Sequence, residues 1–414
     1  MPCPLLLFFA LVAVAPAVRS QTNSKSDPLN ARIDSFVSQR VADDAFSGAI
    51  LVARKGAPVY QRAAGVANRE TGASVALDTK LTIASTTKLF TNIAIRQLEQ
   101  AGKLSLADTV GKFLPDYPNA RVRAKVTIEQ LLRHRSGIGS FWNEKFMSRR
   151  ADVRTVRDYM ELFQEDSLLF EPGTGEAYSN GGYVLLGAII ERVSGQSYHE
   201  YLRDHVFRPA GMTQTVPQDR RVSLANAAVG YTRMPEGPVS GDQRLAGAGS
   251  PPGYASPSAN VRRRQPGDSS ATPVRGMRMR ILGADGRELS LEEAREAIAQ
   301  RAASGSPRRP NTSSQAGMSS PAGDHYSTVG DFLKLAIALT SHRLLDSTRT
   351  AALLGQRYAS GKDFRANGGG PGVNAEFSIF PSGEVLVVLS NYDPPAATDV
   401  AQFIRSLIAP AISP

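Results

Sequence analysis

Two pairs of β-prone segments stand near opposite ends of this 414-residue chain, with helical patterning between them. That arrangement limits the fold more than any other feature. Phe46–Arg54 and Pro58–Gly65 flank Lys55-Gly56 and read as an antiparallel hairpin, and Asn374–Phe380 and Val385–Ser390 flank Pro381-Ser-Gly383 and read as a second. Between and around them, apolar residues recur at helical spacing. Leu29–Val41, Ser85–Gln100, Thr127–His134, Val153–Phe163, Tyr183–Ser194 and Ala396–Ile408 are predicted helices, and another is capped by Ser327 or Thr328 and runs to Leu339. Strands at both ends and helices in the middle predict an α+β fold. One antiparallel sheet is built from the two chain ends and flanked by helices, with a mainly helical subdomain over about 104–230 as an excursion from it.

Composition marks off the remaining segments. Residues 235–320 are rich in Pro, Gly, Ser and Arg, contain no lysine, and are expected to form a largely flexible insertion. Within it, Met277–Leu282, the turn Asp285-Gly286 and Ser290-Leu-Glu-Glu293 opening Ala294–Ala303 give the alternative of a small docked strand-turn-helix module. Residues 5–18 form an apolar run too short for a membrane span and end in small residues, so residues 1–20 are expected to be a secretory signal, with a retained anchor as the alternative. Residues 28–414 are then one domain in the periplasm or outside the cell, with no stable membrane span after signal cleavage. The single cysteine, Cys3, precedes the apolar run, which leaves no disulfide or thiolate chemistry beyond it. The formal charge of +10 comes from scattered arginines, the densest cluster being Arg262-Arg263-Arg264 among Pro, Ser and Gly. Nucleic-acid binding is therefore not expected.

Ser85 is the candidate nucleophile. Of the ten lysines, only Lys88 has a serine three residues before it, and residues three apart share a helix face, so the Lys88 amine reaches the Ser85 hydroxyl. A serine hydroxyl needs such a base, and a position at a helix start adds N–H groups that favour negative charge. Ser-x-x-Lys alone is weak, since a chain of this length yields about one by accident. A second polar group comes from one of two Tyr-x-Asn triplets. Tyr117-Pro-Asn119 sits in a surface turn, whereas Tyr178-Ser-Asn180 runs directly into the Tyr183 helix, where Ser179 or Asn180 also reads as a plain helix cap. The third element is Ala366-Asn-Gly-Gly-Gly-Pro-Gly372, which precedes a strand and gives a backbone edge that substrate can approach, or else a glycine hinge. No Gly-x-Ser-x-Gly is present, and His134, His199, His205, His325 and His342 lack zinc-ligand spacing, so neither a metal nor another cofactor is expected.

Ser85-Thr-Thr-Lys88, Tyr178-Ser-Asn180 and the late Gly-rich segment, in that order, resemble the three motifs of the serine β-lactamase and penicillin-binding protein superfamily, in its class C-like branch. Leu131-Leu-Arg-His-Arg-Ser-Gly137, Phe170-Glu-Pro-Gly173, Tyr183-Val-Leu-Leu-Gly187 and Tyr326-Ser-Thr328 look like further landmarks, and the likeness covers most of 28–230 and 317–408. The resemblance implies a three-layer α/β/α, β-lactamase/transpeptidase-like fold. It also implies that Ser85, Lys88 and Tyr178 are catalytic, that Asn180, Asn367, Gly368 and Gly369 bind substrate, and that an oxyanion sits between the N–H groups of Ser85 and Gly369. Deacylation would rest on Tyr178 and Lys88, because no Glu-x-x-Leu-Asn segment supplies another carboxylate. His134 and Arg135 read as a structural helix end. The third motif departs from the family, which places Lys or His where this chain has Ala366. Arg365 is the alternative source of that cation. The expectation is an exported serine hydrolase that cleaves an amide or ester, such as a β-lactam or a D-amino-acid or cell-wall-derived peptide, through an acyl-serine. The alternative is a non-catalytic homologue that binds cell-wall peptides or a partner.

Overall fold

A computed structural model describes residues 28–234, 281–282, 288–289 and 307–408, and in it the two chain ends meet in one sheet. The N-terminal end supplies α1 (Pro28–Ala42), β1 (Gly48–Arg54) and β2 (Ala57–Ala64), followed by α2 (Lys88–Gln100) and α3 (Asn180–Ser194) of the middle. The C-terminal end supplies α4 (Val329–Thr340), α5 (Ser347–Ala359), β3 (Phe364–Gly370), β4 (Val373–Ile379), β5 (Glu384–Ser390) and α6 (Ala396–Ile408). The five strands lie in the order β3-β4-β5-β1-β2, all antiparallel, with β1 and β5 joining the two ends in the register Ile50↔Val388. Both turn residues of the first hairpin have positive φ, 52° at Lys55 and 79° at Gly56. That backbone twist matches the strands, which fixes the register.

Period-two alternation divides the sheet's side chains between two cores. Ile50, Val52, Leu386 and Val388 pack with Ile33 and Val37 of α1 and Val400 and Ile404 of α6. Ala49, Leu51, Ala53, Phe377, Val387 and Leu389 face the other way, against Ile93 of α2 and Phe332 of α4. The result is the single sheet that the strands at the chain ends predicted, in the three layers that the family resemblance implied. Each large side chain buried in either core contributes roughly 1.5–3 kcal/mol.

Three differences from the sequence reading have physical causes. Phe364–Gly370 is itself the outermost strand rather than a loop leading to one. Its glycines depress β propensity, and only the partner strand shows the pairing. The helix Ser347–Ala359 escaped notice because Gly355, at φ 76°, kinks it and breaks its periodicity. Residues 307–320, included in the compositionally defined insertion, are packed. Asn311, Ser319 and Ser320 are buried, the strand Arg309–Pro310 pairs with Tyr231–Thr232, and the Arg308 side chain bonds Asp44 and Asp393. Pro321 follows them against α3, so close that a Cβ on Gly187 would stand 2.2 Å from its Cγ. Of the expected module inside the insertion, Ile281–Leu282 pairs antiparallel with Glu288–Leu289. Its helix, residues 5–18 and Cys3 lie outside the described residues.

Candidate active site

Ser85 lies on a 3₁₀ turn, Ala84–Thr87, that leads into α2. The turn refines the expected helix start, and it suits the pair, because side chains three apart eclipse each other in a 3₁₀ helix. The Lys88 Nζ is 3.1 Å from the Ser85 Oγ. The chain enters the turn under strain, with Ala84 at φ 43°, a left-handed conformation for a residue with a Cβ. The strand Leu81–Thr82 braces that entry by pairing with His325–Ser327, and the Ile83 N–H donates to the His325 carbonyl at 2.9 Å.

Tyr178 and Asn180 arrive from the other motif. The Ser179 side chain caps α3 by accepting from the Gly182 N–H at 2.8 Å and donates to the Gly139 carbonyl. Cap and site residue are thus compatible readings of one triplet, divided among neighbours. The Tyr178 hydroxyl donates to the Ser85 Oγ at 2.7 Å, and the Asn180 Oδ1 accepts from the Lys88 Nζ at 2.8 Å. His134, at φ 55°, fixes this loop from both sides. Its carbonyl accepts from the Ala177 N–H at 3.0 Å and its Nδ1 accepts from the Ser179 N–H at 3.1 Å, while its ring lies 4.7 Å from that of Tyr178. Burial, with Lys88 adding to it, pushes the His134 imidazole down to about 3, so it is neutral at physiological pH. Tyr117, the rival triplet's tyrosine, is buried in the core.

Lys88 is 7% exposed, whereas Ser85, Tyr178 and Asn180 are partly exposed. The candidate nucleophile is reachable from outside while the candidate base is sheltered. Burial lowers the Lys88 amine to about 7, and Asp324 opposes the shift. An ordinary lysine is neutral in about one molecule in three thousand at pH 7, whereas an amine titrating near 7 is neutral in about half. The hydrogen bonds accommodate the ammonium, which donates to Ser85, Asn180 and Ala322, and equally the neutral form. Two neighbours of the Nζ, the Ala322 carbonyl at 2.6 Å and the Asn180 Oδ1, only accept, so a neutral amine donates to both and turns its lone pair to Ser85.

The fourth side is β3. A Cβ on Gly368 would stand 2.2 Å from the Ile83 carbonyl oxygen and 3.0 Å from the Ser85 nitrogen, so only glycine lets the strand lie against the nucleophile turn. Gly370 and Val373 pair across the two-residue turn Pro371-Gly372. The alternation of an antiparallel ladder then directs the Gly369 N–H to the strand's free edge. The side chains of Arg365 and Asn367 do not meet the site. Arg365 bonds the buried Asp363 at 2.7 Å, and Asn367, oriented so that both ends of its amide are satisfied, donates to Glu376. Glu376 belongs to the α6 layer through Thr398 and Arg405. Strand alternation puts the Asn367 side chain on the opposite face from Gly368, which leaves its backbone as the part of the residue that runs past the site. The alternative cation, Arg365, has its side chain on that opposite face too.

Sequence reasoning missed three contributors. The Ala322 carbonyl is a backbone group with no residue signature, and Asp324 gave no motif. Ser140, whose Oγ accepts from the Asn180 Nδ2 at 3.2 Å, follows Ser136-Gly137 closely enough to have been sought as part of that landmark. Among the described residues, no group of three or more His, Cys, Asp or Glu side chains is placed to hold a metal ion, and no helix is long and apolar enough to cross a membrane.

Comparison with known proteins finds relatives of this chain. Over 192 residues, 45% of this chain, it is 34% identical to penicillin-binding protein 4* of Bacillus subtilis, of which the match covers 42%. The chain spans about half the length of the curated relatives it matches. Among solved structures, a penicillin-binding protein from Bacillus halodurans superposes with a TM-score of 0.63 at 26% identity, covering 89% of this chain and 99% of that one. A D-amino acid amidase from Ochrobactrum anthropi shares the fold, with a TM-score of 0.64 at 22% identity over 93% of this chain and all of that one. The family described as Beta-lactamase matches residues 33–408, and the chain belongs to that family.

Proposed function

We propose that the protein is a serine acyl hydrolase that cleaves an uncharged ester or amide through an acyl-Ser85 intermediate. The observation that carries the proposal is the convergence of Tyr178 and Lys88 on the Ser85 Oγ, at 2.7 and 3.1 Å. The Ser85 oxygen bonds to the acyl carbon while its proton passes to the neutral Lys88 amine. Tyr178 and Lys88 return a proton to the leaving group as its bond to the acyl carbon breaks. The developing oxyanion lies between the N–H groups of Ser85 and Gly369. Water, deprotonated by the same pair, then displaces Ser85. Asn180 orients Lys88 and offers a contact to the substrate amide.

Substrate class follows from β3. Ala366 lies on the strand face of Gly368, and the nearest guanidinium in sequence, Arg365, is held by Asp363 on the other face. A substrate carboxylate gains no side-chain cation from this strand, which favours neutral acyl compounds over carboxylated ones. Export belongs to the same proposal through the apolar run at residues 5–18, and residues 235–306 are proposed as an insertion in the one hydrolase domain.

A fluorophosphonate probe and a fluorescent penicillin test the proposal against the alternative of a binding-only homologue. Fluorophosphonate labelling is expected on the natural chain and absent in Ser85→Ala. No Ser85-dependent labelling with either probe would refute hydrolysis.

A further inference from the structure

One carboxylate beside Ser85 has no part in the mechanism above. Asp324 has φ 74°, a left-handed conformation that costs about 1–2 kcal/mol for a residue other than glycine, with Asp among the more tolerant. Its N–H donates to the Ala84 carbonyl at 3.2 Å, and Ala84 is itself left-handed. Two positions earlier, the Ala322 carbonyl accepts from the Lys88 Nζ. The segment Ala322–Asp324 therefore touches both the turn that carries the nucleophile and the amine that activates it. The Asp324 side chain is partly exposed beside the site, and among the described residues no side chain hydrogen-bonds to or pairs with its carboxylate. Lys88 is the cation that acts on it, opposing the upward push of burial.

We infer that Asp324 is a positioning residue whose carboxylate sets the proton occupancy of Lys88 and whose backbone secures the strained turn before Ser85. The inference rests on reading Lys88 as the base. The groups facing Lys88 are Ser85, Asn180, the rings of Tyr178 and Tyr183 at 4.8 and 5.4 Å, His134 and Asp324. Those facing Asp324 are Lys88, Tyr159 and Tyr326. Burial holds the two tyrosines well in the protonated range and His134 in the neutral one. Asp324, whose carboxyl burial pushes up and Lys88 pulls back down, is therefore the acidic group coupled to Lys88, and its ionised form is the one that acts on the amine. It favours the ammonium and opposes burial, which favours the amine. Removing the carboxylate leaves burial unopposed, so Lys88 loses its proton at lower pH.

Asp324→Asn removes the charge with a residue that tolerates left-handed backbone, and Asp324→Gly removes both charge and strain. In both variants the acid limb of kcat/KM for a p-nitrophenyl ester is expected to move down by about half to one pH unit. The Gly variant is expected to melt above the Asn variant. Side-chain NMR titration of Lys88 in a Ser85→Ala background is expected to show the same shift without needing turnover. Loss of all Ser85-dependent turnover in the natural chain would refute the hydrolase reading and leave that titration as the test of Asp324. A Lys88 titration unmoved by both substitutions would overturn the inference.

Discussion

Around Ser85, the helical flank supplies side chains and the strand flank supplies backbone. Lys88, Tyr178 and Asn180 are each hydrogen-bonded, and their supports, His134, Ser140 and Ala322, are bonded in turn. On β3, Gly368 presents no side chain, Ala366 presents a methyl group, and the polar neighbours Arg365 and Asn367 point to Asp363 and Glu376. The difference separates two tasks that an acyl hydrolase combines. In the proposed reaction, breaking the bond depends on the helical flank, whereas the choice between charged and neutral substrates depends on what the strand edge adds.

Substitutions on the two flanks should therefore fail in different ways. Lys88→Met is expected to lower kcat about 10³- to 10⁴-fold in ester hydrolysis while the melting temperature holds or rises, because it removes a buried amine whose charged form burial disfavours. In the natural chain, kcat/KM should fall as pH drops below about 7, since the downshifted Lys88 takes up the proton that it must lack to act as base. Tyr178→Phe is expected to cost about 10²- to 10³-fold in kcat, with KM little changed. Gly368→Ala is expected to cost about 10²-fold, and it should also destabilise by roughly 1–3 kcal/mol in denaturant titration, as its Cβ cannot stand 2.2 Å from the Ile83 oxygen. The smallest effect is a gain. Ala366→Lys is expected to raise the ratio of carboxylated to neutral substrate turnover about tenfold, the effect of roughly 1.4 kcal/mol from one partly screened charge.

The helical flank was also the more legible in sequence. Ser85 and Lys88 stand three apart where a 3₁₀ turn runs into α2, and Tyr178 and Asn180 flank the Ser179 cap of α3, so local spacing announces what each side chain reaches. The sheet was legible for a related reason, as the unbroken apolar runs of β1 and β5, each bounded by turn residues, mark strands buried on both faces. The strand flank was not. Whether Asn367 faces Ser85 or Glu376 depends on the register with β4, which no residue of Ala366–Gly372 encodes by itself. Asp324 was hidden because its importance comes from a left-handed backbone and a neighbour 236 positions away in the chain, Lys88. The Ala322 carbonyl has no side-chain signal at all.

The separation of the two flanks is tested most directly by one matched pair of substrates. Peptides ending in D-Ala-D-Ala, one with its free carboxylate and one as the terminal amide, present the same scissile bond to Ser85 and differ only in the charge that the strand edge would have to hold. The account predicts that kcat/KM for the amide equals or exceeds that for the free acid; a preference of tenfold or more for the free acid would contradict it.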